Sequence, residues 1–179
     1  MSVNYADQVQ YVGTVTVSNP AVAVNIPLGW TPRYVRVHNV NNLTSYEYYN
    51  GMTAAYALTD ANGGTIAVAT SGCITQYAGR AAGASVTGTV TVTAASATIT
   101  GSGTNFVGEL AVGDKVTVNG EVREILSITS STVATATEPF VGAAAGALLY
   151  DMAGKGPGVT LGTTICDTAA DVVRILAIR

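Results

Sequence analysis

Apolar residues in this 179-residue chain never run far before a Thr, Ser, Asn or Gly interrupts them. Val and Ala alternate with small polar residues, the pattern of short strands with one apolar and one polar face. Residues 11–18 alternate in this way, and residues 21–26 do so again after a turn at Asn19-Pro20. Pro27-Leu28-Gly29-Trp30-Thr31-Pro32 is a tight, rigid connection. Residues 33–40 follow as a strand, with Val35 and Val37 on one face and Tyr34, Arg36, His38 and Val40 on the other. Residues 44–49 are aromatic-rich and strand-like, and Asn50-Gly51 marks a turn. Residues 52–58, Met-Thr-Ala-Ala-Tyr-Ala-Leu, suit a short helix, and 60–64 a loop. Residues 65–70, 73–77 and 159–163 read as further strands. The closing segment 171–179, Asp-Val-Val-Arg-Ile-Leu-Ala-Ile-Arg, is apolar on both faces and is expected to be central and covered.

Residues 86–150 form a second β module inside this first one. Ala- and Gly-rich stretches at 78–85 and 151–158 flank it and read as hinges. Two tethers side by side are what an inserted domain needs, because a domain's ends usually lie close together at its surface. Within the module, residues 96–100, 115–118, 122–129 and 132–137 read as strands, with a hairpin at Asn119-Gly120. Phe106, Leu110, Ile125, Ile128, Phe140 and Leu148 are its expected core. The expectation is an all-β chain. Residues 1–85 with 151–179 would form an antiparallel, jelly-roll-like β-sandwich, and 86–150 an inserted small β-barrel-like domain.

Charged residues make up only 11% of the chain, against roughly a quarter in an average soluble protein. So low a charge fits either a neutral exterior rich in Thr, Ser and Asn or, the favoured reading, extensive burial in an assembly. The net charge of −3 and the absence of a Lys/Arg run disfavour nucleic acid. No stretch approaches the ~20 consecutive apolar residues that span a bilayer, so no membrane role is expected. The N-terminus shows no charged and apolar leader pattern, which points to synthesis in a cytoplasm.

Side-chain chemistry offers no catalytic constellation, no cofactor motif and no metal cluster. His38 is the only histidine, and it reads as a polar residue on a strand face. Gly101-Ser102-Gly103-Thr104-Asn105-Phe106 lacks the third glycine and the βαβ setting of a dinucleotide fingerprint and reads as a loop. Glu121 and Glu124 flank Arg123 on a hairpin, most simply a solvated edge. Cys73 and Cys166 allow a bridge, although two buried thiols are the simpler reading. Asn42-Leu43-Thr44 matches a glycosylation acceptor that matters only on a secretory route. The aromatic group Trp30, Tyr46, Tyr48, Tyr49 and Tyr56 is the one candidate interaction surface, suited to stacking a carbohydrate or meeting a protein, with ordinary core and rim of the first module an equal alternative.

The runs Gly88-Thr-Val-Thr-Val-Thr, Ala97-Thr-Ile-Thr-Gly-Ser-Gly-Thr-Asn-Phe106, Leu110-Ala-Val-Gly-Asp-Lys-Val-Thr-Val-Asn-Gly120-Glu-Val-Arg123, Ile128-Thr-Ser-Ser-Thr-Val133 and Gly142-Ala-Ala-Ala-Gly146 resemble a module that recurs in virion proteins of tailed bacteriophages. The resemblance covers about a third of the chain. The remainder is more loosely similar to small phage virion proteins. That likeness rests on Gly29-Trp-Thr-Pro-Arg-Tyr-Val-Arg-Val-His-Asn39, Asn50-Gly-Met52, Thr70-Ser-Gly-Cys-Ile-Thr75 and Gly158-Val-Thr-Leu-Gly-Thr163. The resemblance implies a non-enzymatic structural protein of the virion, assembled in the bacterial cytoplasm. The favoured role is a capsid decoration or cement protein whose partners are the major capsid protein or copies of itself. The alternatives are a tail, fibre or baseplate component, a carbohydrate-binding module that meets a host-surface glycan, and, least favoured, a hydrolase.

Overall fold

The computed structural model describes residues 10–17 and 22–179. The N-terminal stretch, the turn at Asn19-Pro20 and the flanking Ser18 and Ala21 lie outside the described residues. In chain order the elements are β1 (Gln10–Thr16), β2 (Val24–Pro27), β3 (Tyr34–Asn39), β4 (Thr44–Tyr49), β5 (Tyr56–Ala61) and β6 (Thr65–Tyr77). Then come β7 (Ala84–Ser85), β8 (Thr89–Val92), β9 (Thr98–Ser102), α1 (Phe106–Glu109), β10 (Lys115–Val118), β11 (Glu121–Ser130) and β12 (Val133–Ala136). β13 (Ala144–Ala147), β14 (Leu149–Asp151), β15 (Gly158–Leu161) and β16 (Val172–Ile178) complete the chain. The protein is all-β and sandwich-like, built on two curled antiparallel sheets.

The chain divides into two compact units. The first comprises Asn25–Ala78 and Pro157–Arg179 with the described residues 10–17. The second comprises Gly79–Gly156 with the short segment Val22–Val24. The second unit is thus wider than the 86–150 read from the sequence. The stretches read as hinges belong to it: β7 pairs with β14, and Arg80 bridges to Lys155.

In the first unit the strand order is β1-β16-β3-β4-β5-β6-β15-β2. One face of β3, β4 and β16 is buried, as the alternation requires: Val35 and Val37, Tyr46 and Tyr48, and Val173, Ile175 and Ala177 all point inward. β6 is one strand of 13 residues where the sequence suggested two. Its first half pairs with β5 and its last four residues with β15. The strand bends between those halves at Gly72, whose φ of +66° a side chain tolerates poorly. Residues 52–58 are not a helix. They form a turn and the start of β5, because pairing with β4 and β6 outweighs the helix preference of three alanines in so short a segment. β16 lies between β1 and β3, inside the sheet, yet it is covered on one face only, with Arg174 exposed. Asn39 is fully buried: its amide donates to Asp171 Oδ2 at 2.8 Å, and its carbonyl accepts from the backbone of Asn41 and Asn42.

In the second unit the order is β13-β8-β9-β12-β11-β10-β14-β7. β11 gives the sheet its curl. Its first residues pair with β10, its last with β12, and the register shifts twice along the second half. The core comprises Phe106, Phe140, Ile99, Ile125, Leu149 and the valines of β8 and β10. Ile128 is only partly buried against it. Leu148 is exposed and Leu149 buried, a one-residue offset fixed by the pairing of Leu149 with Val118.

Candidate functional site

The five aromatic residues singled out by sequence do not share a face. Tyr46 and Tyr48 point into the first unit, and their hydroxyls donate to the carbonyls of Thr164 and Met52. Tyr56 is half-buried at the bend of β6, opposite Ile74. Tyr49 points outward, its ring centroid 5.2 Å from that of Tyr34. Trp30 is half-buried in the connection ahead of β3, where it lines a hollow at the sheet rim.

The outer face of the first unit is instead built from cross-strand rows. One row runs Val12, Leu176, Arg36, Glu47, Leu58, Val68 across β1, β16, β3, β4, β5 and β6. The next runs Thr14, Arg174, His38, Ser45, Asp60, Ile66. Val12 is 77% exposed, Ile66 69% and Val68 58%. An antiparallel sheet with one solvated face normally makes that face polar, and these apolar groups depart from that pattern on β1 and on β6, five strand positions apart. Glu47 anchors the middle of the face. Its carboxylate accepts from the Tyr49 hydroxyl at 2.8 Å and lies 3.5 Å from Arg36. That hydrogen bond holds the Tyr49 phenol above its ordinary pKa, and burial, with Glu47 adding, does the same for Tyr34. His38 Nδ1 lies 3.0 Å from Ser45 Oγ, in a hollow of about 420 Å³ that Val12, Arg36 and Arg174 also line.

Every Lys or Arg of the first unit sits on, or at the end of, the β3–β16 pair: Arg33, Arg36, Arg174 and Arg179. No run of basic residues announces this, because strands separated by more than 130 residues bring them together. Arg33 and Arg179 flank paired strand ends, with the Arg33 N–H donating to the Ile178 carbonyl at 2.8 Å. With Gly29, Trp30 and Thr31 they line the rim hollow, about 580 Å³ in volume.

The remaining sequence candidates are structural. Glu121 is not a solvated edge. Its carboxylate accepts from the N–H groups of Val141 and Gly142, at 2.8 and 2.7 Å, and from Arg123 at 2.6 Å. Arg123 in turn lies over the Phe140 ring, 5.3 Å from its centroid. The backbone N–H groups of Val141 and Gly142, chiefly, hold the Glu121 carboxyl below its usual range. The Gly101–Phe106 run ends β9 and caps α1: the Asn105 side chain accepts from Gly108 N and donates to the Ala23 carbonyl at 2.8 Å. Cys73 and Cys166 are free and buried. Burial raises both thiols, with Asp167 and Asp171 helping to push Cys166 up to about 11. Among the described residues no group of three or more His, Cys, Asp or Glu could hold a metal, and no helix is long and apolar enough to cross a membrane.

Fold and surface together define an all-β protein of two units, the first of which exposes large apolar side chains on its outer sheet face. Against protein-family models, curated proteins and solved structures, the chain gives no match.

Proposed function

We propose that this chain is a non-enzymatic structural protein of a tailed-phage virion, acting as a decoration or cement protein on the outer surface of the head. One observation carries the contact half of this reading: the outer face of the first unit presents Val12, Ile66, Val68 and Tyr49 to solvent, around an anchored Arg36–Glu47 pair. Exposed apolar side chains on either side of a central charge pair offer a partner contact area together with one specific polar pairing. The virion half rests on the resemblance of residues 88–146 to a recurrent phage module. The mechanism is multivalent clamping, in which many identical weak contacts across neighbouring capsid subunits act together. A tail or baseplate component is the alternative, and it would use the same face.

The test is cosedimentation. Purified protein is mixed with undecorated heads or with isolated tails, and the bound fraction is quantified. Binding to heads, with a gain in their resistance to heat, is the expected result. Replacing Val12 and Val68 by Asp should abolish it without changing the melting temperature, because both side chains are exposed. Binding to tails alone would transfer the assignment to the tail reading, and binding to neither would end both.

A further inference from the structure

Three donor groups without a side-chain partner among the described residues line the rim hollow. Trp30 is half-buried, and its indole N–H makes no hydrogen bond among the described residues and is open to solvent. Arg33 and Arg179 lie at adjoining strand ends, and neither guanidinium pairs with a carboxylate among the described residues. By contrast Arg36, Arg80, Arg123 and Lys155 all pair with one. Two guanidiniums without a carboxylate partner among the described residues, beside a half-covered indole, are complementary to an anion with an apolar face.

We propose that the Trp30, Arg33 and Arg179 hollow binds a carboxylated pyranose, a sugar-acid unit of an acidic polysaccharide. The indole supplies the flat apolar surface on which a sugar ring's C–H face stacks. A guanidinium supplies the planar fork that matches a carboxylate. A simple anion would use the arginines and leave the ring idle. A neutral sugar would use the ring and leave the arginines unpaired. This site is on the rim and does not depend on the outer-face residues of the proposed capsid contact, so the two readings stand or fall separately.

Trp30 is the only tryptophan of the chain, so its fluorescence reports on this site alone. The experiment titrates the full chain with trigalacturonic acid, with its fully methyl-esterified form, and with inorganic phosphate. The acid should shift Trp30 emission saturably, with an affinity that weakens as salt is added. The ester should bind at least tenfold more weakly, and phosphate should leave the emission unchanged. Arg33→Gln and Arg179→Gln should each weaken the acid at least tenfold at an unaltered melting temperature, since both side chains are exposed. Three results would overturn the proposal: no emission change with the acid, equal binding of acid and ester, or an equal response to phosphate. Should one variant fail to fold, the other carries the same test.

Discussion

At the scale of single residues, buried charge decides more than its abundance suggests. Arg80 and Asp151 pair at 2.6 Å, with side chains 10% and 0% exposed, and Arg80 also donates to the Glu109 carbonyl. Arg80→Ala would strand the Asp151 carboxylate, a change that typically costs about 3–5 kcal/mol. Denaturant unfolding of the second unit should show a loss in that range, and a change under 1 kcal/mol would mean that water replaces the guanidinium. Glu121 gives a pH signature. Its folded pKa is lowered, so its contribution is complete above the unfolded value and disappears as pH falls through the folded one. Melting temperature measured below about pH 4.3 should therefore fall less steeply for Glu121→Gln than for the parent. The cysteines give a chemical one. With its thiol pushed up to about 11, Cys166 is protonated at pH 8, and burial shields Cys73 as well. A thiol reagent should modify neither in the native protein and both in denaturant; fast native labelling would place a thiol at the surface.

At the scale of elements, β16 shows where a pattern is ambiguous. Its sequence reads as apolar on both faces, but only Val173, Ile175 and Ala177 are fully covered, while Leu176 and Ile178 belong to the half-exposed outer face. Ile175→Ala should cost about 2–5 kcal/mol, as large-to-small changes in a core do. Leu176→Ala should cost distinctly less in the same melting experiment. Equal losses would mean the outer face is covered after all. β11 and β6 show why strand boundaries were harder to read than strand existence. Each changes partner part-way along, and the change is set by what lies beside it rather than by its own residues.

For the whole molecule, the insertion has a simple geometric basis. Tyr77 and Gly158 face each other in the β6–β15 ladder, so the chain leaves and re-enters the first unit at adjoining points. Arg80 and Lys155 do the same within the second unit. Replacing residues 79–156 by Asn-Gly should therefore close β6 onto β15 as a hairpin. The shortened chain is expected to keep a cooperative thermal transition and β-rich circular dichroism. A molten or aggregating product would show that the first unit cannot fold without the second.

The sequence by itself determined the all-β class, the alternation that buries Val35 and Val37, the hairpin at Asn119-Gly120 and the places of Phe106, Leu110, Ile125 and Phe140 in the second unit's core. These depend on neighbours within a few residues, where side-chain period and turn chemistry act directly. Tertiary structure alone decided that Tyr46 and Tyr48 face the core while Tyr49 faces solvent, that Glu121 clamps the 139–142 loop, and that the Ala/Gly stretches are tied by Arg80, Asp151 and Lys155. It also gathered Trp30, Arg33 and Arg179 at one rim. Those outcomes depend on pairings between segments as much as 149 residues apart, as Trp30 and Arg179 are. No local pattern encodes which strand will lie beside which.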